Sequence, residues 1–432
     1  MKNICEIARF FCVMCNKFLT NAAKYAIMKS DFQTACAAFG GMEVIMRFEQ
    51  INSFNRYTLT YSADAAVRGT LSYYLDDSLY SEDFFLEAGQ NKTFRCLIDG
   101  YLAGKQAKAP VDIHVDFIVG GSEIRIHALS TDVVPVYAAE TYYMENEYYR
   151  VGIELAWGGG LSCFVDKNAP EGLGNLLNNF DTGRLVQQSY YGTNQPPFVC
   201  GEFMGNKWGY NPVQGGDRTN AKSKLVDVEI TENSVYVKCR PRDWGHEAWY
   251  TPSYMENTYA FDGDVVRVDN RFVDFSGWEH PKCTQEVPAF YTISYLGNFW
   301  FYDGQKPWTD DALSVRRDLI FWPDDWPRHR FPLPVGDTET WCAWTDDNDW
   351  GIGLYVPGVE MHIGGRHMYN GTKEPHHAAC NYVAPLKSIK LQSFVPLEYS
   401  YLIYTGSLTE MRAKFTEKKD FCTNEYFENY GK

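Results

Sequence analysis

Short runs in which apolar and polar residues alternate follow one another along most of the chain. From Met42 to about Glu140 these runs are separated by turns rich in Asn, Asp and Gly, as at Gly120-Gly121. Alternation of this kind predicts β-strands with one buried face. We therefore predict a small β-sandwich over residues 42–141.

From Tyr142 to about residue 415 the strand pattern continues, in runs such as RVGIELAW, SVYVKCRP, AFYTISYL and EYSYLIYTG. Helical spacing is nearly absent until TEMRAKF, where Thr409 is the expected cap of a short helix. Strands that follow one another without crossover helices pair antiparallel. The predicted fold class is therefore all-β, with a large antiparallel sandwich of two broad sheets over 142–415 and a tail over 416–432.

Residues 1–41 differ from the rest, and two interpretations stay open: a short helical segment or a segment without stable structure. The apolar positions recur near helical spacing at Ile4, Ile7, Phe11, Cys15 and Phe18. The chain has no apolar run long enough for a transmembrane helix, and the run Phe10–Met14 is too short for a good signal peptide. We expect a cytoplasmic protein with no membrane partner.

Composition narrows the function classes. The net charge of -15 argues against nucleic acid or an anionic membrane as a partner, because both attract a basic surface. The aromatic content of 16% is high and suits strands and carbohydrate clefts. The 12 cysteines have no repeating spacing, and the histidines around His376-His377 lack a carboxylate at a fixed offset. We predict free thiols, no metal and no cofactor.

The stretch from Asn175 to Gly216 is dense in amides, tyrosines and glycines, with no apolar run to bury them. Amides and a guanidinium hydrogen-bond sugar hydroxyls, and aromatic rings cover the apolar side of a pyranose. The alternative is a polar loop region of a large β-protein. The predicted sugar-binding residues, including two tryptophans from later aromatic clusters, are Arg184, Gln187, Gln188, Tyr190, Tyr191, Trp208, Asn211, Gln214, Asp217, Trp244 and Trp341.

Cleavage of a glycosidic bond usually takes two carboxyl groups beside aromatic side chains that raise the pKa of one of them. Glu286 is the first candidate, because it opens an apolar strand before Pro288. Glu339 and Glu256 are the other candidate carboxylates, and His280 could orient a carboxylate or move a proton. A structural role, such as an ion pair, is the alternative for each of the four.

The order of several motifs resembles the galactose mutarotase-like superfamily, whose fold is a β-supersandwich. The motifs are Gly183-Arg184, then Gln187-Gln188, then NPVQGG from Asn211, and VDNRFVDFSGWEHP from Val268. The resemblance covers about residues 145–415 and implies that fold and a role in carbohydrate chemistry. Gln214 stands where mutarotases carry a substrate-binding histidine, and Arg271 stands near the place of their catalytic one. Neither side chain shuttles protons near pH 7, which argues against mutarotation by that machinery.

The leading hypothesis is a glycoside hydrolase that acts on an oligo- or polysaccharide, with a carboxylate pair drawn from Glu286, Glu339 and Glu256. A polysaccharide lyase is the second, with Tyr190 or Tyr191 as the base. A non-catalytic carbohydrate-binding protein and an aldose epimerase are the remaining alternatives. The segments TQEVPAFY and TETWCAW also resemble uncharacterised bacterial proteins of polysaccharide breakdown, at the level of the fold.

Overall fold

The chain divides into two compact units, residues 1–137 and residues 138–432. The computed structural model describes residues 33–39, 42–51, 54–63, 65–75, 78–97, 111–119, 122–130, 141–320, 329–368 and 370–430. Within these residues the elements are almost all strands. The all-β fold class predicted from the alternating pattern is confirmed.

The N-terminal unit contains two four-stranded sheets, with strand orders β1-β2-β3-β6 and β5-β4-β7-β8. The ring of Phe84 in β5 packs edge-on against Tyr61 in β3 and Phe94 in β6, so side chains of the two sheets meet in one core. The strands are β1 (Gln33–Phe39), β2 (Met42–Ile51), β3 (Phe54–Ser62), β4 (Val67–Leu75), β5 (Ser78–Leu86), β6 (Asn91–Leu97), β7 (Val111–Val119) and β8 (Ser122–Ser130).

The first strand lies in the segment for which the sequence predicted a helix or no stable structure. Gln33–Phe39 pairs antiparallel with β2 along its whole length. The positions with helical spacing, Ile4 to Phe18, lie outside the described residues. For residues 33–39 the prediction was wrong, because QTACAAF carries no period that distinguishes a strand from a helix.

The C-terminal unit holds the other described strands, and a 3-10 turn at Leu155–Trp157 joins β10 to β11. In chain order they are β9 (Tyr142–Glu145), β10 (Tyr149–Glu154), β11 (Gly160–Asp166), β12 (Gln187–Ser189), β13 (Gly201–Phe203), β14 (Asn206–Trp208), β15 (Pro212–Val213), β16 (Lys224–Ile230), β17 (Ser234–Arg240), β18 (Arg242–Asp243), β19 (Ser253–Asp262), β20 (Val265–Asp274), β21 (Glu279–Ile293), β22 (Asn298–Phe301), β23 (Ser314–Arg317), β24 (Arg330–Pro332), β25 (Trp341–Thr345), β26 (Trp350–Tyr355), β27 (Met361–His367), β28 (Cys380–Gln392) and β29 (Leu397–Ser407).

Two broad sheets dominate this unit. One has seven strands in the order β18-β15-β12-β21-β28-β27-β24, and the other has nine in the order β16-β17-β19-β20-β29-β26-β25-β22-β23. Strands pair antiparallel in both sheets. A three-stranded sheet, β11-β10-β9, and the hairpin β13-β14 complete the strands.

The seven-stranded and nine-stranded sheets face each other across a shared core. The ring of Tyr190, which directly follows β12, lies 4.4 Å from that of Phe272 in β20. Beside them, Gln188 donates a hydrogen bond from Nε2 to Asn257 Oδ1 at 3.0 Å. Because strand side chains alternate between faces, the neighbours of these residues point away from the core. Each broad sheet therefore also has an outer face.

Two helices follow the last strand: α1 (Leu408–Glu417) and α2 (Tyr426–Asn429). The cap of α1 is Ser407, two residues before the predicted Thr409, because Ser407 and Glu410 satisfy each other's backbone N–H groups in a capping box. Met411 and Phe415 pack into the core beside Trp341. Among the described residues no helix is long and apolar enough to span a membrane.

Candidate active site

Glu286 lies where β21, at the centre of the seven-stranded sheet, is irregular. It pairs with Ser189 in β12 and with Leu386 in β28, but the register shifts beside both pairs. Pro288 follows and has no N–H to donate to the ladder. Bulges of this kind change the direction of side chains and are common next to active sites.

Three neutral hydroxyl groups surround the Glu286 carboxyl group. Tyr191 donates to Oε1 at 2.8 Å, and Tyr382 donates to the same oxygen at 2.6 Å. Ser189 also hydrogen-bonds the carboxyl group. Within the described part of the chain no lysine, arginine or histidine forms an ion pair with it. The carboxyl group is therefore held by dipoles, without a counter-charge.

Burial raises the pKa of Glu286 above its ordinary value, and the hydrogen bonds from Tyr382, Tyr191 and Ser189 partly oppose that rise. The side chain is only partly buried by surface area, which limits the rise. A glutamate with a raised pKa keeps its proton closer to neutral pH than an exposed one. That property suits a general acid.

The two phenols beside Glu286 stay protonated at neutral pH. Burial raises the pKa of Tyr191 and of Tyr382 well above the ordinary tyrosine value, and the negative charge of Glu286 raises both further. A phenolate next to a carboxylate is unfavourable because like charges repel. Both tyrosines therefore act as hydrogen-bond donors at this site.

Aromatic and apolar side chains form the floor around this carboxyl group. The rings of Tyr291 and Tyr382 lie 4.9 Å apart with an angle of 36° between their planes. Residues 382, 384 and 386 share one face of β28 because side chains alternate along a strand. Such a surface offers ring faces and hydroxyl groups together. The apolar side chains packed here are the partly buried Met361 and the buried Ala289, Ile363, Ala384 and Leu386.

An ion pair lies beside the floor. Arg184 Nε is 3.2 Å from Asp181 Oδ2, and the Arg184 guanidinium also donates to the carbonyl oxygen of Ala378. The charges of Asp181, Arg184 and Glu286 all act on the phenol of Tyr291, whose pKa is raised mainly by burial. The ion pair and Glu286 therefore lie near the same phenol group.

Phe180 extends this surface towards solvent. The Arg184 guanidinium carbon lies 4.9 Å from the centre of its ring, and the ring of His376 lies 5.7 Å away on a tilted plane. Phe180 is 38% exposed. Arg184 thus lies next to an accessible aromatic ring, which can stack on a sugar unit.

Of the predicted sugar-binding residues, Arg184 and Tyr191 lie at this site. Gln188, Tyr190 and Gln214 are instead completely buried between the two broad sheets. There Tyr190 donates to Gln188 Oε1 at 2.8 Å, and Gln214 donates to Asn257 Oδ1 at 2.8 Å. These side chains satisfy one another in the core and cannot reach a ligand on the outer face.

Three further predicted residues fix loops. Gln187 donates to the carbonyl oxygen of Thr182 at 3.1 Å and accepts from the Gly215 N–H at 2.7 Å. Asn211 donates to the carbonyl oxygen of Tyr190. Buried Asp217 accepts the backbone N–H groups of residues 219, 221 and 248. Their polar groups are therefore already hydrogen-bonded to backbone groups of the protein.

The tryptophans of the predicted site also have structural partners. Trp208 donates to Asn211 Oδ1 at 3.0 Å, and the rings of Trp208 and Trp244 both pack edge-on against Phe203. Trp244 also covers Gly183, where a Cβ atom would lie 2.6 Å from the indole ring. Glycine at position 183 is therefore required by the close approach of the indole ring, whatever the role of Arg184.

Glu339 and Trp341 lie in a different part of the unit. Arg412 of α1 reaches Glu339 with two nitrogen atoms, at 2.6 Å and 3.1 Å. Glu339 also accepts from the backbone N–H of Trp308 and from Nε1 of Trp341. Both Glu339 and Trp341 are completely buried. We assign this carboxylate a structural role, because its four donors leave no approach for a substrate.

Glu256 and His280 are likewise separate from Glu286. Glu256 lies on the outer face of the nine-stranded sheet, ion-paired with Arg271 at 2.6 Å. His280 is buried, accepts from the Thr193 N–H and stacks on Tyr210. The structure therefore does not bring the candidate carboxylates together as a pair.

The sequence reasoning missed Ser189, Tyr291, Tyr382 and Asp181. Asp181 stands three residues before Arg184, and that spacing beside a glycine was the available signal. The two tyrosines carry no local signal, because β28 is brought next to β21 only by the fold. No group of three or more metal-ligating side chains occurs among the residues that the structure describes.

The facing seven-stranded and nine-stranded sheets define a large antiparallel β-sandwich. Solved structures similar to this chain include a galactose mutarotase-related enzyme of Lactobacillus acidophilus, at 13% identity and a TM-score of 0.36, covering 62% of this chain and 97% of that one. A galactose mutarotase-like protein of Lactobacillus casei is similar at 12% identity and a TM-score of 0.35, over 61% and 99%.

An alpha-galactosidase of Geobacillus stearothermophilus is similar at 9% identity and a TM-score of 0.36, over 62% of this chain but 40% of that one. No family model matches the chain, and no curated protein matches it. The motifs noted in the sequence resemble the same mutarotase-like group. Likeness at this level does not transfer an activity or a residue role.

Proposed function

We propose that the outer face of the seven-stranded sheet binds a carbohydrate and that Glu286 acts on it as a general acid–base. The observation that carries the proposal is a carboxyl group with a raised pKa, held by neutral hydroxyl donors on a partly exposed aromatic surface. Ring faces and hydroxyl groups are suited to sugars, and a protonated carboxyl group is suited to a glycosidic or hemiacetal oxygen.

Hydrolysis of a glycosidic bond is the reaction we favour. Glu286 transfers its proton to the glycosidic oxygen as the bond to the anomeric carbon breaks. Water adds to that carbon and loses its proton to a second carboxylate. Asp181 is our candidate for that carboxylate, because it is the ion-paired partner of Arg184 on the same face. It replaces Glu339 and Glu256, which lie elsewhere.

Epimerisation of an aldose is the second candidate. This reaction is favoured by the observation that one carboxyl group, that of Glu286, accepts hydrogen bonds from both Tyr191 and Tyr382. Opening a hemiacetal needs one base for the anomeric hydroxyl and one acid for the ring oxygen. Glu286 and a neighbouring phenol could fill these roles without a second carboxylate.

Elimination by a polysaccharide lyase is less well supported. That reaction needs Tyr191 as a base, but burial and the nearby Glu286 charge raise the pKa of Tyr191 well above its ordinary value. A phenol that holds its proton so firmly is a poor base at neutral pH.

A panel of neutral oligosaccharides and free aldoses separates the candidates. Mass spectrometry of the products detects hydrolysis as the gain of one water per cleavage, whereas elimination adds none. Proton NMR of freshly dissolved aldoses detects faster interconversion of the anomers. Binding without any of these changes would support a non-catalytic carbohydrate-binding protein and would contradict the acid–base role of Glu286.

A further inference from the structure

A cavity of about 580 Å³ lies on the outer face of the nine-stranded sheet. Strands β17, β19, β20 and β29 form its floor, and the segment from Cys422 to Tyr426 forms one wall. The volume falls within the range of roughly 300–1,000 Å³ that is typical of small-molecule sites. We call this cavity the outer cleft. Its lining includes Tyr236, Glu256, Arg271, Glu398, Ser400 and Tyr426.

Three charged residues of the floor, and Lys238 beside them, alternate in sign across the sheet. Lys238 pairs with Glu256, Glu256 with Arg271, and Arg271 with Glu398, each directly across from the next strand. The nitrogen–oxygen distances are 3.7, 2.6 and 3.2 Å in that order. Glu256 is also fixed by the Tyr236 hydroxyl at 3.0 Å. These contacts hold the polar groups in place before any ligand arrives.

The wall of the outer cleft is anchored. Asn424 accepts from the Ser400 N–H at 2.9 Å and donates to the carbonyl oxygens of Ser400 and Pro357 at 3.0 Å and 2.9 Å. Phe427 of α2 is buried beside it. The cleft is therefore a formed cavity between fixed elements, with Tyr426 47% exposed in its wall.

The charges indicate the chemistry of a ligand. Lys238 and Arg271 balance Glu256 and Glu398, and Asp269 is paired with Arg267 on the same strand at 2.9 Å. Glu425 in the wall adds one negative charge. An anionic ligand would meet Glu256 and Glu398. A hydroxyl group can donate to a carboxylate, whose oxygens each have two lone pairs, and can also accept. Tyrosine rings on two sides can cover the apolar face of a sugar.

We propose that the outer cleft is a second carbohydrate-binding site, specific for neutral oligosaccharides, on the sheet opposite Glu286. It does not depend on the reaction proposed for Glu286, because none of its residues lies on the seven-stranded sheet. Such a site would keep the protein on a long substrate while another segment occupies the catalytic face.

The test is calorimetric titration of the full-length Glu286→Gln protein with neutral gluco-, galacto- and xylo-oligosaccharides of several lengths. We expect saturable binding of at least one of them, weakened about tenfold by the further change Tyr426→Ala, which removes a stacking ring. Tyr143→Ala is the matched control, because Tyr143 is 42% exposed and lies on β9, away from the cleft. It should leave the affinity unchanged.

The conservative change Glu398→Gln provides a second test if Tyr426→Ala disturbs the wall. It keeps the side-chain volume and should also weaken binding. Absence of binding to every oligosaccharide, an affinity insensitive to both cleft changes, or tighter binding of uronate oligosaccharides would each overturn the proposal. Failure of the Glu286 reaction would instead appear as wild-type protein without turnover, with the cleft-dependent binding intact.

Discussion

Glu286 and Glu339 are both glutamates next to aromatic side chains, yet their surroundings are opposite. Glu339 is completely buried and receives a forked contact from Arg412, a backbone N–H and an indole N–H. Glu286 is partly exposed and receives neutral hydroxyl groups, with both tyrosine bonds on the same oxygen. The first arrangement pairs the carboxylate with a cation, and the second surrounds the carboxyl group with dipoles only.

This contrast gives a rule for assigning carboxylates in this fold. A guanidinium partner favours the ionised form, and full enclosure excludes a substrate. Phenol partners compensate less of the cost of burial, so the neutral form persists to higher pH. Proximity to aromatic rings, which made both residues candidates in the sequence, does not distinguish them.

The largest expected effect is the loss of turnover in Glu286→Gln. The amide keeps the shape and can still accept from Tyr191 and Tyr382, but it has no proton to give. We expect the turnover number to fall by about 100- to 10,000-fold on whichever carbohydrate the wild-type protein converts. Steady-state kinetics and circular dichroism measure activity and folding. Glu279→Gln, on the exposed end of the same strand, is the control. Full activity in Glu286→Gln would rule out the acid–base role.

Next is a loss of stability in Glu339→Gln. Arg412 would keep its charge inside the protein without a counter-charge, so the free energy of unfolding should fall by about 3–5 kcal/mol. Urea denaturation measures it. The double variant Glu339→Gln with Arg412→Met removes both charges and should recover part of the loss. If Glu339→Gln leaves the free energy of unfolding unchanged, the structural role assigned to Glu339 is wrong.

A smaller effect is expected in the pH profile of Tyr382→Phe. The Tyr382 hydroxyl stabilises the ionised form of Glu286 and so lowers its pKa. Its removal raises that pKa further, and activity that needs protonated Glu286 should extend to higher pH. The pH dependence of kcat/KM measures the shift. Tyr291→Phe is the matched control, because the Tyr291 ring packs against Tyr382 while its hydroxyl forms no hydrogen bond to Glu286. A shift to lower pH would contradict the assignment.

The sequence predicted the strands well because alternation is a local property. It could not predict which face of a strand lies inward. Gln188 and Tyr190 point into the core, whereas Ser189 and Tyr191 contact Glu286 on the outer face. A displacement of one residue exchanges the two faces, and nothing within β12 marks which of them is buried.

The partners of the two glutamates were also beyond local reasoning. Tyr382 is 96 residues from Glu286 and reaches it through the pairing of β21 with β28. Arg412 is 73 residues from Glu339 and reaches it from a helix. Whether a carboxylate has a phenol or a guanidinium beside it depends on these long-range pairings. The sequence therefore yielded the candidates without their roles.

The smallest effect concerns stability as a function of pH. Because the pKa of Glu286 is raised in the folded protein, the unfolded chain loses this proton at lower pH than the folded one. The wild-type protein should therefore lose stability relative to Glu286→Gln as pH rises from the ordinary glutamate pKa to the raised one. Melting temperatures should be equal at pH 3.5 or so, about one unit below the ordinary glutamate value, and higher for the variant at pH 7. The same comparison with Glu279→Gln should show no such divergence. A variant that melts lower than wild type at pH 7, and equal to it in acid, would mean that the folded protein favours the ionised carboxylate of Glu286, which would contradict its role as a general acid.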